Sequence, residues 1–305
     1  MTVPRGAVVA LTALVLLNGC SLKKMAVKTV ADSLAESSTN YTSDEDPELI
    51  RDALPFGLKT MEGLAETLPN HRPLLRSLAS GFTSYAVGFL VPEIRPLEEV
   101  DLEQARALRV RARLMLLRAR EYALRSLEVE YPGFRQALAA DPKAAVERVK
   151  LADLPDLYWA AAAWGSAVSQ GKDQMDLVAE VPIVEALIRR AMALDETWEQ
   201  GSLHEFLIVF ESRGEASGGS YERARQHFER AMALSKGRKV GPLVSLAENV
   251  SVYTQNRTEF DDLLSRALEF DVNSAPEFRL VNILGQRRAR QLQAMADQLF
   301  TEDAK

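Results

Sequence analysis

The feature that most limits what this chain can fold into is one helical pattern written three times. Val184, Ile188, Ala191 and Leu194 recur as Ala224, Phe228, Ala231 and Leu234, and again as Phe260, Leu264, Ala267 and Phe270. Each set has the offsets i, i+4, i+7 and i+10, which lay one apolar stripe along a 3.6-residue helix. An Ala stands in each copy where a neighbouring helix must come close, and an Arg precedes it: Arg190, Arg230 and Arg266. The copies lie 40 and 36 residues apart, within the period range of helix-pair arrays. The chain is therefore expected to be all-α, a stack of helical hairpins, with partner helices at 199–212 and 242–255.

Composition agrees with that reading. Apolar residues make up 47% of the 305 and aromatics only 7%, a mix suited to packed helices rather than to a β-sandwich. The formal charge is −6. An acidic chain is a poor partner for nucleic acid, whose binding depends on neutralising phosphates, and none is expected.

The N-terminus reads as a leader. Arg5 precedes the apolar run 7–17, too short to span a bilayer and right for a signal-peptide core. The run passes into Leu17, Asn18, Gly19 and Cys20, which resembles the bacterial lipoprotein box and implies cleavage before Cys20 and lipidation of its sulfur. Cys20 is the single cysteine of the chain, so no internal disulfide or thiolate cluster can form. Ser21 after it favours the outer membrane. The expected organisation is a signal peptide over 1–19, a lipidated N-terminus and tether over 20–45, and one helical domain over 46–305.

Within the domain, Asp46, Pro47 and Glu48 form a helix start, with Pro55 expected to kink or break the helix before 56–68. The stretch 91–99, holding Pro92 and Pro96, is expected to be a loop. A long helix is expected over 101–131, with Leu108, Ala112, Met115, Ala119 and Tyr122 as its buried seam and Arg106, Arg109, Arg113 and Arg120 on a solvated face. Thr258 with Asp261, and Ser274 with Glu277, have capping-box spacing. The closing segment 276–300 is expected to be one long helix, with Arg287, Arg288 and Arg290 on a polar face that caps the stack.

Catalytic patterns are missing from the sequence. None of His71, His204 and His227 stands in HExxH or in an i, i+4 pair. His71 and His227 are expected at the surface, His204 in the core. There is no phosphate loop, no GxSxG elbow and no nucleophile beside a base. Neither an enzyme nor a cofactor is expected.

The most unusual local sequence is Tyr158-Trp159-Ala160-Ala161-Ala162-Ala163-Trp164. Its two tryptophans stand about 140° apart around a helix and need not share a face. The rings either pack in the core or line a space left by the alanines. Phe56, Phe82, Tyr85, Phe89, Tyr158, Trp159 and Trp164 are the candidate ligand- or partner-facing residues, with core packing the competing reading for each.

Tyr221 with Ala224, Phe228 and Ala231 is similar to the second-helix pattern of tetratricopeptide repeats, so the hairpins are expected to be degenerate tetratricopeptide-like repeats, an α-solenoid. The stretches 46–62 and 78–86, Leu157-Tyr158-Trp159 with Trp164, and the Arg-Ala helices together resemble the TatT family, the T component of tetratricopeptide-associated TRAP transporters. The resemblance implies a periplasmic lipoprotein that forms homotrimers with a channel through each protomer. It also implies docking to a periplasmic TRAP-type substrate-binding protein, and help in moving a small organic, hydrophobic ligand. An envelope assembly scaffold without a small-molecule site is the alternative.

Overall fold

The computed structural model describes residues 24–35 and 41–301. Cys20 and the leader, with the anchoring expected of them, lie outside the described residues. Helix α1 covers 24–35 in the expected tether, and its Ala31 is fully buried in the core of the domain.

Helix α2, Pro47–Thr67, begins as its sequence dictates: Asp46 accepts from the Glu48 and Leu49 amides and Pro47 fills the first turn. Pro55 does not break it. Interior proline costs about 3 kcal/mol, but Ile50, Leu54, Leu58 and Met61 all bury on one face, and that face holds the helix through the proline.

Helix α3 runs from Arg72 to Val100, so the loop expected over 91–99 is helical instead. A π-helical turn at Ala86–Leu90 explains this: the Val91 amide donates to the Ala86 carbonyl, and the shifted register absorbs the bond Pro92 cannot make. The helix is long and apolar enough to cross a bilayer, but 56% of its apolar window is buried inside the protein, and the core accounts for its composition. His71, expected at the surface, is its N-cap. The Nδ1 atom accepts from the Leu74 amide at 3.2 Å, and Nε2 lies 2.8 Å from Asp32 of α1.

Helix α4, Leu102–Glu130, is capped by Asp101. Ala105, Ala112, Ala119 and Ala123 are fully buried, and this small-residue stripe lets α3 and α7 pack closely on either side. Its arginines divide. Arg106 pairs outward with Glu103, whereas Arg120 folds inward, as described below. Short helices α5 (Phe134–Ala140) and α6 (Pro142–Glu147) lead into α7 (Leu154–Ser169), followed by the single turn α8 (Met175–Val178).

The three pattern copies are α9 (Val181–Leu194), α11 (Tyr221–Ser235) and α13 (Arg257–Glu269). The first three stripe positions of every copy are buried, and the fourth, at each helix end, is half-buried. Their partners are α10 (Ser202–Glu211) and α12 (Gly241–Leu246), the latter prolonged by a π-helical turn at Ala247–Ser251. Gly201 shows why the small seam residue is needed: at φ +93° its Cα sits so close to α11 that a Cβ would lie 3.1 Å from the Ala231 Cα. Neither expected capping box forms. Asn256 caps α13, and the Ser274 hydroxyl donates to the Asp271 carbonyl in a 3-10 turn.

The closing segment is α14 (Arg279–Ala294) and the short α15 (Ala296–Leu299). It is not a polar cap facing water. Leu280 buries in the N-terminal core, and a Cβ on Gly88 of α3 would stand 3.3 Å from Leu284. Arg287 forks onto Glu48 of α2, with Nη2 to Oε2 at 2.8 Å. On its other side Asn282 accepts from the Val240 amide and donates to the Arg238 carbonyl, both at 2.9 Å. The two ends of the domain therefore meet. Among the described residues every regular element is helical, and the fold is all-α.

A buried charge cluster holds α3 to α7. The Asp156 side chain has no exposed surface and accepts from Arg72 at 2.8 Å and from Arg76 at 2.8 and 3.0 Å. Asp153 beside it accepts from the Tyr131 hydroxyl at 2.5 Å and from Arg72. Removing one member of such a set leaves uncompensated charge under protein. Asp156→Asn should lower unfolding stability by about 3 kcal/mol, read as a drop in the urea midpoint followed by circular dichroism; an unchanged midpoint would contradict this account of the α3–α7 joint.

Candidate functional site

Helix α7 sets the candidate site. Leu154, Leu157, Ala160, Ala161, Ala163 and Ala167 pack inward with at most trace exposure. Where α7 meets α10 the contact is closer still: a Cβ on Gly165 would lie 3.1 Å from the Phe206 ring. The rings of the segment diverge, as their 140° offset requires.

Tyr158 and Trp159 are half-buried together, centroids 4.9 Å apart and edge-on, and Trp198 approaches Tyr158 at 4.7 Å from the loop before α10. Trp164 points elsewhere and is buried. Its Nε1 donates to Glu180 at 2.7 Å, and the Arg120 guanidinium lies 4.6 Å over its ring while pairing with Glu180 at 3.2 Å. Above this group opens a cleft of about 500 Å³ lined by Leu117, Arg120, Gln174, Met175 and Glu180.

The other candidates lie in three further places. Phe82 is buried and stacked on Tyr122 (6.1 Å, 7°), whose hydroxyl donates to Glu62 at 2.7 Å. That pair backs a polar cleft of about 270 Å³ lined by Lys59, Glu62, Arg118 and Arg125. Burial alone would raise the Glu62 carboxyl, but Lys59, Tyr122 and Arg118 hold it below the usual range. Tyr85 and Phe89 touch each other at 5.7 Å within the N-terminal core. Phe56 stands alone on the outer face of α2 with 78% of its surface exposed. The structure thus brings Tyr158 and Trp159 together, and Tyr85 and Phe89 together, but does not assemble the seven into one wall.

Two sets of residues went unnoticed in the sequence. The first surrounds Tyr158. Trp198 precedes Glu199, Gln200 and Gly201, three successive residues with positive φ (47°, 52° and 93°), a costly run for two residues that carry side chains. Lys239, 7% exposed, holds the run in place by donating to the Glu199 carbonyl at 2.6 Å and the Ser202 hydroxyl at 2.8 Å. Glu205, one turn into α10, faces the same place. It is the single acid within the mostly apolar stretch 203–210, and that isolation was the available signal.

The second set is a histidine pair. His204, buried as expected, meets His227 with the two Nδ1 atoms 2.9 Å apart, so His227 is half-buried rather than a surface residue. One ring must donate and the other accept, which requires at least one of the two to be neutral. Burial, with His204 adding to it, pushes His227 down to about 4 despite Glu211 nearby. Burial likewise lowers His204 against the pull of Glu196.

Comparison with known proteins bears on the whole chain. The family model described as TRAP transporter T-component matches residues 43–300. An uncharacterized protein of Treponema pallidum (strain Nichols) is 29% identical over 303 residues, covering 93% of this chain and 94% of its own length.

The histidine pair sets a pH dependence. Below an ordinary histidine value of 6.5, the unfolded chain takes a proton that folded His227, held to about 4, refuses. Folding stability should therefore fall as pH drops from 6.5 towards 4, in urea titrations at a series of pH values. His227→Gln should flatten that fall; an equal slope in the variant would show that the pair stays protonated in the fold.

Proposed function

We infer the function from one premise: the chain belongs to the TRAP transporter T-component family. An accessory role in TRAP transport, in the bacterial envelope, comes with that membership. Within that role, we propose that the chain docks a periplasmic TRAP-type substrate-binding protein and assists transfer of a small organic ligand between that protein and the rest of the system. Its hairpins act as degenerate tetratricopeptide-like repeats, presenting a surface to the partner. Removal of 1–19 and lipidation of Cys20 hold it to the periplasmic face of a membrane, the outer membrane by the Ser21 rule. By family resemblance the working unit is a homotrimer.

The observation that carries this reading is the extent of the family match, which takes in every helix from α2 to α14. Two features of the chain support it. The aromatic group around Tyr158 offers apolar surface to an organic molecule. The exposed Phe56 on α2 and Met175 beside the Arg120 cleft offer anchors to a protein partner.

The test is cross-linking in cells of the source bacterium, followed by detergent extraction of the tagged full-length chain and mass spectrometry. A TRAP-type binding protein should be recovered with the wild-type chain, and Cys20→Ser should move the chain from the membrane to the soluble periplasmic fraction. Recovery of unrelated envelope assembly factors in its place would replace the transport reading by the scaffold reading.

A further inference from the structure

One half-buried carboxylate in the domain has no hydrogen-bond or ion-pair partner among the described residues. Glu205 is half-buried, and among the described residues no hydrogen bond or ion pair reaches its side chain. Its carboxylate lies against the start of α12, so close to Gly241 that a Cβ there would overlap Oε1 outright. Among the described residues the Tyr158 hydroxyl, which Glu205 faces, makes no hydrogen bond either. Two polar groups from two helices, both half-buried, thus keep hydrogen-bonding capacity free for a ligand.

The charged and titratable groups facing Glu205 are Tyr158 from α7 and Lys239 from the segment before α12, and Glu199 of the left-handed run faces both of these in turn. Lys239 does not neutralise it directly. It stands beyond ion-pair distance, its ammonium already donates to the Glu199 carbonyl and the Ser202 hydroxyl, and it covers the Phe278 ring at 5.0 Å. Burial raises the Glu205 carboxyl above its ordinary value, with Lys239 pulling the other way. The Tyr158 ring, with Trp198 at 4.7 Å, adds aromatic surface, whose negative face favours a cation.

We propose that Glu205, Tyr158 and Trp198 form a binding station for a small organic amine, its ammonium group on the Glu205 carboxylate and against the two rings. An amine supplies the counter-charge that the fold withholds, while a ligand carboxylate would meet an acid there and a lysine that is already bonded. A neutral hydroxyl would gain one hydrogen bond and leave the charge uncompensated. The left-handed run at 199–201 serves to bring Trp198 over Tyr158, and Lys239 pins it there. As a step in ligand transfer the station rests on the transport reading; as a binding site it does not.

The test uses the full-length chain in detergent, with phenethylammonium as probe and 3-phenylpropionate and 2-phenylethanol as comparisons, by calorimetry and tryptophan fluorescence. Phenethylammonium should bind saturably and more tightly than either comparison. Glu205→Gln should weaken that binding about tenfold or more, a loss of roughly 1.4 kcal/mol. Tyr158→Phe, which keeps the ring, should weaken it less and guards against a folding defect in the first variant. No saturable binding at millimolar amine, equal or tighter binding of 3-phenylpropionate, or an unchanged affinity in Glu205→Gln would overturn the proposal. Amine binding without recovery of a TRAP-type binding protein in cells would leave the station standing and remove the transport reading; the reverse pair of results would do the opposite.

Discussion

The contact on which the rest of the structure depends is the seating of α14 between the two ends of the domain. Helices that pack only on their neighbours in sequence have no intrinsic reason to bring the two ends of a chain together. Here two glycines remove the side chains that would hold α14 off: Gly88 receives Leu284, and Gly285 lets Val240 approach to where a Cβ would stand 3.0 Å away. Polar groups then fix the register. Asn282 is spanned between the Val240 amide and the Arg238 carbonyl, and Gln286 donates to the Ala267 and Phe270 carbonyls at 3.0 and 2.8 Å. Because Val240 precedes Gly241, the same seating presses the start of α12 against Glu205. Closure and the placing of that carboxylate are one arrangement.

Charge is used inside this fold as a fastener between helices. Asp156 joins α3 to α7, and Glu211, with no exposed side-chain surface, joins α9 to α11 through Arg189 and through the Arg223 Nε at 2.9 Å. Burial would raise the Glu211 carboxyl, but the two arginines hold it below the usual range. Such pairs add little net stability over an apolar contact, yet they penalise any packing in which a partner is missing. Glu205 is set apart by having no such partner.

How much of this was legible in the sequence depended on distance along the chain. The three Ala-centred stripes folded as helices because their information is local, and so did the cap at Asp46. Pro92 and Pro96 misled, since the π-helical turn that accommodates them is a packing outcome of α3 against α4 and α14. His71 and His227 were misplaced because Asp32 and His204, their partners, come from other elements. The stretch from Tyr158 to Trp164 stood out by composition, but which ring faces Trp198 and which faces Arg120 is decided by helices far away in sequence. Glu205 gave only the faint sign of an acid in an apolar run.

The placing of the unpartnered acid and the meeting of the two ends rest on one physical claim, that α14 closes the domain against α2. The most direct measurement is zero-length carbodiimide coupling of the R287K variant, whose introduced amine should lie beside Glu48 if α14 rests on α2. Mass spectrometry of the digested monomer should find the peptide holding Glu48 joined to the peptide holding position 287. Absence of that link, with coupling of nearer acid–lysine pairs such as Lys59 and Glu62 intact, would mean that the two ends stay apart.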